Sequence, residues 1–304
     1  MKWVNLIMLD IILGAISLGL LWAVMTVGVF ITYRVLNIAD LTVEGSIAMG
    51  AAIAAKGITV GLNPFISTFI ALLGGMVAGL CTGLLHTRLK IPALLSGILT
   101  MIALWSVNLR IMGKANISLL RMVTVYSPFE KLGLDKTNSI ILLGVLCTAG
   151  IISSLYWFFG TEIGSAIRAT GNNPHMVRAQ GINTDTTIIL GLVLSNGLVA
   201  TSGALIAQSQ GYADVQMGTG AIVIGLASVI IGEVLFGKKN FYTRLISLVL
   251  GAVTYRVIIA LVLKMGMPAN DLKLFTAVTV AVALSLPVFK QYLAPIKKSV
   301  KGVE

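Results

Sequence analysis

Charge is the first thing this chain has little of. Charged residues make up 11% of its 304 positions, and acidic residues number only 11. A soluble globular chain carries about 25% charged residues, so a soluble enzyme and a disordered chain are both excluded. Cysteine is nearly absent. Cys81 and Cys147 both sit inside apolar blocks, which suits small buried residues and excludes a disulfide-stapled secreted fold. Histidine is as rare: His86 and His175 stand far apart, and no metal site is expected. No small-residue cleavage site follows the first apolar run, so that run reads as a spanning helix rather than a removed leader.

What is present in excess is apolar sequence. Hydrophobic residues reach 57% and mean hydropathy is +0.97. Ile11–Tyr33 contains no charge over 23 residues. At about 1.5 Å per residue it makes a helix of roughly 35 Å, enough to cross a hydrocarbon core of about 30 Å. The remaining blocks are Val43–Ala55, Phe65–Leu85, Pro92–Ile111, Ser139–Phe159, Thr187–Gln208, Gly220–Phe236, Leu245–Leu263 and Leu274–Phe289. They predict an all-α polytopic membrane protein of about 8–10 transmembrane helices. Val43–Ala55 is short for a crossing, so the second segment is expected to be broken or re-entrant, a form tolerated only where protein or a cavity covers the backbone.

The net charge of +11 does not call for a nucleic-acid partner. Basic residues collect in cytoplasmic loops of membrane proteins. With the loop 160–186 inside, Arg34, Arg88, Lys90, Arg168, Arg178, Lys238, Lys239, Arg244, Lys290, Lys297, Lys298 and Lys301 fall inside, 12 basic residues against 8 outside. With nine crossings this puts the N-terminus outside. Gly75, Gly79 and Gly83 line one helix face and predict close helix packing.

A short internal repeat is visible. Ala39-Asp40-Leu41 returns as Ala213-Asp214-Val215. Gly45 through Ala52 is matched in step by Gly220 through Ala227. Five segments separate the copies, so they would be inverted in the membrane, as in many transporters. The chain reads as one transmembrane domain over 1–304, with repeats at about 9–112 and about 187–290.

Polar residues inside apolar blocks are the candidates for a translocation path or gate: Asp40, Glu44, Asn108, Asn196, Gln208, Asp214, Glu233 and Arg256. Arg256 is expected to pair with Glu233 or Asp214, as a gate or as a packed ion pair. Gly232-Glu-Val-Leu-Phe-Gly237-Lys238 fits seven positions of a phosphate-binding loop. The eighth is Lys239 rather than a hydroxyl residue, so nucleotide binding is not expected there.

The polar loop Gly160–Thr186 is the most informative stretch. Thr161 is a fitting N-cap, Gly171-Asn172-Asn173-Pro174 a break, Pro174 a first-turn residue and Gly181 a stop. Two short capped helices protruding from the membrane suit docking to another subunit. The pattern Gly164-x-x-Ile167-x-Ala169-x-Gly171-x-Asn173, followed by Met176-x-Arg178-x-x-Gly181-Ile182-Asn183, resembles the coupling region of permease subunits of ATP-binding-cassette (ABC) importers of the branched-chain amino-acid and ribose type. Asp40-Leu-Thr-Val-x-Gly45-Ser46, Ser202-Gly-Ala204 and Gly218-Thr-Gly220 resemble other motifs of that family. The chain departs from it at Glu44, an extra acidic residue in the early motif, and at Glu233, in a stretch usually rich in glycine.

The resemblance implies that residues 160–186 are cytoplasmic coupling helices. It implies an ATPase-docking surface of Arg168, Ala169, Gly171, Asn172, Asn173, Pro174, Met176, Arg178 and Gly181. The expected partners are ABC ATPase subunits, a second permease subunit (a homodimer, or a pair of two different permeases), an extracytoplasmic substrate-binding protein and membrane lipid. The chain itself would bind no cofactor and catalyse nothing, with ATP and Mg held by the ATPase. The setting is the plasma (inner) membrane. Amino acids, aromatic ones among them, lead as solutes, with a sugar or nucleoside second. A stand-alone transporter driven by an ion gradient is the rival, since intramembrane charges and inverted repeats fit it too.

Overall fold

The computed structural model describes residues 2–237, 239–266, 268, 271, 274–282 and 285, with side chains from residue 8 onward. α1 (Lys2–Phe30) continues into a π-helical turn, Ile31–Val35. Then come α2 (Thr42–Thr59), α3 (Pro64–Thr87) and α4 (Ala93–Met112). A short strand β1 (Asn116–Ser118) and a helical turn α5 (Ser127–Glu130) lead to α6 (Lys136–Gly160). α7 (Glu162–Asn172) and α8 (Pro174–Ala179) form the polar pair, followed by α9 (Thr184–Gln210). β2 (Tyr212–Asp214), α10 (Ala221–Phe236) and α11 (Phe241–Lys264) complete the named elements. The chain is an all-α polytopic membrane protein, with six helices long and apolar enough to span a bilayer among the described residues. Of the ninth expected segment, residues 274–282 and 285 are helical and the rest lies outside the described residues, as do Lys238, Lys273, Lys290 and the three lysines of the tail.

The second segment is longer than its Gly/Ala run suggested. α2 is an unbroken helix of 18 residues, about 27 Å long. The interruption falls ahead of it, in the π-helical turn and the non-helical residues 36–41. Lys56, just past the expected end of the segment, is exposed in the last turn of α2.

α9 is the central post. α1, α2 and α3 all pack on it, and α1 in turn packs on α10 and α11. Exchanging α1 with α9, α2 with α10 and α3 with α11 reproduces the same set of neighbours. The packing is close because glycines meet backbone. A Cβ placed on Gly75 or Gly79 would overlap the carbonyl of Asn196 or Leu192 on α9. This is small-residue packing, which brings membrane helices into backbone contact where hydrophobic burial gives no drive. The outward faces are apolar, with Phe65, Phe69, Leu73 and Val77 of α3 all exposed, as expected of a surface that meets lipid. β1 and β2 pair antiparallel, Ile117 opposite Ala213. That pairing ties the end of α4 to the segment that leads into α10.

Candidate functional site

The α7–α8 pair is built by its caps. Thr161 Oγ1 accepts the Gly164 N–H at 3.3 Å. Asn173 closes α7 and opens α8, its Oδ1 accepting the Met176 N–H at 3.1 Å, with Pro174 in the first turn. Asn183 Oδ1 caps α9 through the N–H groups of Asp185 and Thr186. Gly181 has φ +83°, a left-handed stop that glycine adopts without strain. Buried Ile167, Thr170 and Val177 hold the pair on the bundle. The Thr170 and Thr187 hydroxyls share a hydrogen bond of 2.8 Å.

Among the nine residues expected at the docking surface, Arg168, Asn172, Asn173, Met176, Arg178 and Gly181 are exposed, and Ala169 and Pro174 are half-buried. Gly171 faces the chain's own interior. A Cβ there would overlap the carbonyl of Val35, so this glycine seats α7 on the π-helical turn. Arg178 has an internal duty: its Nε donates to Thr184 Oγ1 at 2.6 Å, and it lies 3.8 Å from Asp185. The Arg168 guanidinium stacks over Phe241 at 5.5 Å.

Just beneath lies an ionic junction. Glu233, at the end of α10, has a side chain only 4% exposed. Arg34 reaches one carboxylate oxygen at 2.7 Å, and Arg244 holds the other with two hydrogen bonds of 2.8 and 2.7 Å. Arg244 also stacks on Phe30 at 5.1 Å, and Phe30 and Phe159 both pack against Phe241. The ends of α1, α6, α10 and α11 therefore meet under α7.

The expected pairing of Arg256 with Glu233 or Asp214 does not occur. Glu233 is satisfied by Arg34 and Arg244, and Asp214 accepts from Asn116 at 3.1 Å and from the Gln216 N–H at 2.7 Å. Arg256 instead lies over Trp22 at 4.0 Å, its Nε without a partner among the described residues. A cation over an indole is a weak but real attraction, and it requires no acid. Arg256→Met is expected to keep folding within about 1–2 kcal/mol of the parent, since an apolar chain of similar length packs on the same ring. Thermal unfolding in detergent checks this, and a collapse of the fold would contradict it.

Around the bundle centre, the polar residues that sequence singled out separate by role. Asp40 accepts the Thr42 N–H at 2.9 Å and the Asn196 Nδ2 at 2.8 Å, and Asn196 Oδ1 accepts from Ser46 at 2.7 Å. All three are buried, so Asp40 and Asn196 join α2 to α9. Gln208 binds the Val125 N–H and Thr68, which fixes the 119–126 loop on the bundle.

Glu44 and Asn108 come together at a cavity of about 370 Å³ between α2, α4 and the segment before α10. Met101, Trp105, Ser106 and Thr219 share its lining. One Glu44 carboxylate oxygen accepts the Gly220 N–H at 3.0 Å, placing an anion at the start of α10, where the helix dipole favours it. Sequence reasoning missed Trp105, which lies one helical turn before Asn108. It also missed Arg34 and Arg244 as the partners of Glu233, having placed both only as loop anchors.

The fold resembles that of a metal-chelate type ABC transporter solved in an inward-facing conformation, with TM-score 0.50 over 93% of this chain and 85% of that one, at 15% identity. In sequence, the chain is 40% identical over 275 residues, 90% of each protein, to a tyrosine transport system permease protein of Clostridioides difficile. It is 32% identical to an uncharacterised protein of Rickettsia prowazekii over 91% of this chain and 98% of that one. It is 28% identical to the autoinducer 2 import system permease protein of Yersinia pseudotuberculosis, over 76% of this chain and 65% of that one. Residues 11–283 match the family model described as a branched-chain amino acid transport system permease component. The chain therefore belongs to that family and is a multi-pass plasma-membrane permease subunit of an ABC importer.

Proposed function

We propose that this permease forms half of the translocation path for an amino acid, tyrosine or a close aromatic analogue. The other half is a second copy of the chain, and an external binding protein delivers the solute. The observation that carries the substrate class is the 40% identity, over nine-tenths of both chains, to a permease named for tyrosine transport. Family membership sets aside the ion-driven alternative, because energy enters such importers from a separate ATPase. ATP and Mg belong to that ATPase. Gly232 is an interior glycine of α10 whose Cβ would overlap the Ser247 carbonyl on α11, so close helix packing accounts for it.

On this reading the two halves, about 9–112 and about 187–290, are inverted copies. The exchange symmetry of the packing around α9 and α1 supports it. The ATPase docks on the exposed face of α7 and α8. Its motion reaches the membrane helices through Gly171 against Val35, and from there through Arg34, Glu233 and Arg244 to α10 and α11. A docked helix that is capped at both ends and seated on backbone moves as a rigid lever rather than bending.

Arg178 is engaged with Thr184, so docking is better tested at Arg168 and Met176, both exposed. The double change Arg168→Glu with Met176→Glu is expected to abolish co-purification of the ATPase from gently solubilised membranes while the permease itself is recovered in normal amount. An ATPase still bound at full stoichiometry would show that docking lies elsewhere.

A further inference from the structure

We propose that the cavity between α2 and α4 is a subsite for the primary ammonium group of the solute in transit, with Glu44 as its counter-ion, Asn108 Oδ1 as a second acceptor and the Trp105 ring as a cation–π face. The proposal rests on the amino-acid reading above and adds to it the atoms that select the substrate.

Three observations converge there. Asn108 is 1% exposed; its Nδ2 donates to the Gly45 carbonyl at 3.2 Å, and its Oδ1, also buried, has no hydrogen-bond partner. A buried acceptor left unpaired is unfavourable, and Asn108 lines the cavity. Glu44 lines the same cavity, and no cationic side chain among the described residues pairs with it. Its known partners are backbone N–H groups at the start of α10, which hold the carboxylate in place and leave its charge without a cation. Trp105 completes the wall, 43% exposed. An indole face attracts an ammonium group most strongly of the aromatic side chains.

The donor and acceptor arithmetic then selects the ligand. Carboxylate oxygen and amide oxygen are acceptors only, and a π face is electron-rich. An ammonium group offers three donors and a positive charge, so it satisfies all three. A sugar hydroxyl would satisfy the amide but leave the carboxylate without its cation. At about 370 Å³ the space falls within the range of small-molecule sites.

The test is uptake of radiolabelled L-tyrosine by cells carrying the whole importer, with the permease gene replaced by each variant. Glu44→Gln keeps an acceptor for the Gly220 N–H and removes only the charge. It is expected to lower the maximal uptake rate by about tenfold, the equivalent of a lost ion-pair contact of about 1.4 kcal/mol, with the permease and its ATPase present in parental amounts. Glu44→Asp keeps the charge and is expected to retain most of the rate. A merely structural Glu44, holding only the Gly220 N–H, would be hurt more by the shorter Asp than by Gln. Parental uptake by Glu44→Gln, or a loss in Glu44→Asp as large as in Glu44→Gln, overturns the proposal. If Glu44→Gln lowers the amount of permease, Trp105→Leu decides instead, since it alters a partly exposed face of α4. A several-fold loss supports the subsite and parental uptake overturns it. An unaltered importer that takes up ribose but no tyrosine overturns the amino-acid reading itself, before any variant is compared.

Discussion

Glu233→Ala is expected to be among the most damaging single changes in this chain, costing about 3 kcal/mol or more of stability. The carboxylate is 4% exposed and holds two guanidinium groups at 2.7 Å. Its removal leaves Arg34 and Arg244 facing each other across a space with no anion. The arginine side chains are 35% and 29% exposed, so solvent softens the repulsion and keeps the cost at the lower end of the range for a broken buried pair. The change also unties α10 from the end of α1 beneath α7. Thermal unfolding in detergent is expected to shift down clearly, and uptake to be lost even where protein survives. Glu233→Asp, one methylene shorter, is expected to recover part of both. A Glu233→Ala variant with parental stability and uptake would remove the junction from any account of coupling.

Gly50→Val is expected to prevent stable insertion altogether. The α2 and α9 backbones touch at this point, and a Cβ at Gly50 would overlap the carbonyl of Ala200. Overpacking a core costs about 1–3 kcal/mol when side chains can shift. Here the obstacle is helical backbone, which cannot shift without moving the whole of α9, and α1 and α3 pack on that same helix. The expected readout is permease missing from the membrane fraction. Gly150→Val on α6 is the control. Nothing lies within 4 Å of a Cβ there, so that variant is expected at parental levels. Equal amounts of both would show that the α2–α9 seam is looser than its geometry.

Much of the polar loop 160–186 was legible residue by residue. Thr161, Pro174 and Gly181 each act as their local chemistry requires, because caps and stops depend on neighbours within a few positions. Gly171 was legible as a motif residue but not in its role. Both a docking surface and an internal seat call for a glycine, and only the position of Val35 distinguishes them. Arg256 misled for a related reason. A charge amid apolar residues demands a partner, and the acids suggested one, yet an aromatic face supplied it. The ring of Trp22 does not announce itself as a cation's neighbour in sequence. Glu233 had the reverse history: its partners Arg34 and Arg244 lie 199 and 11 positions away and had both been spent on loop anchoring.

By itself the sequence determined the membrane setting, the helix positions to within a few residues, the pair of short helices in residues 160–186 and the family. Those follow from composition and from short-range patterns, since hydrocarbon thickness and capping act on contiguous residues. Tertiary structure alone decided which polar residues meet. It drew Asp40 to Asn196, Glu233 to two arginines, and Glu44 and Asn108 to one cavity. The physical reason is that glycine seams set how closely α2, α3 and α9 approach. A buried polar group then bonds to whatever that approach brings within hydrogen-bond reach, at any separation along the chain.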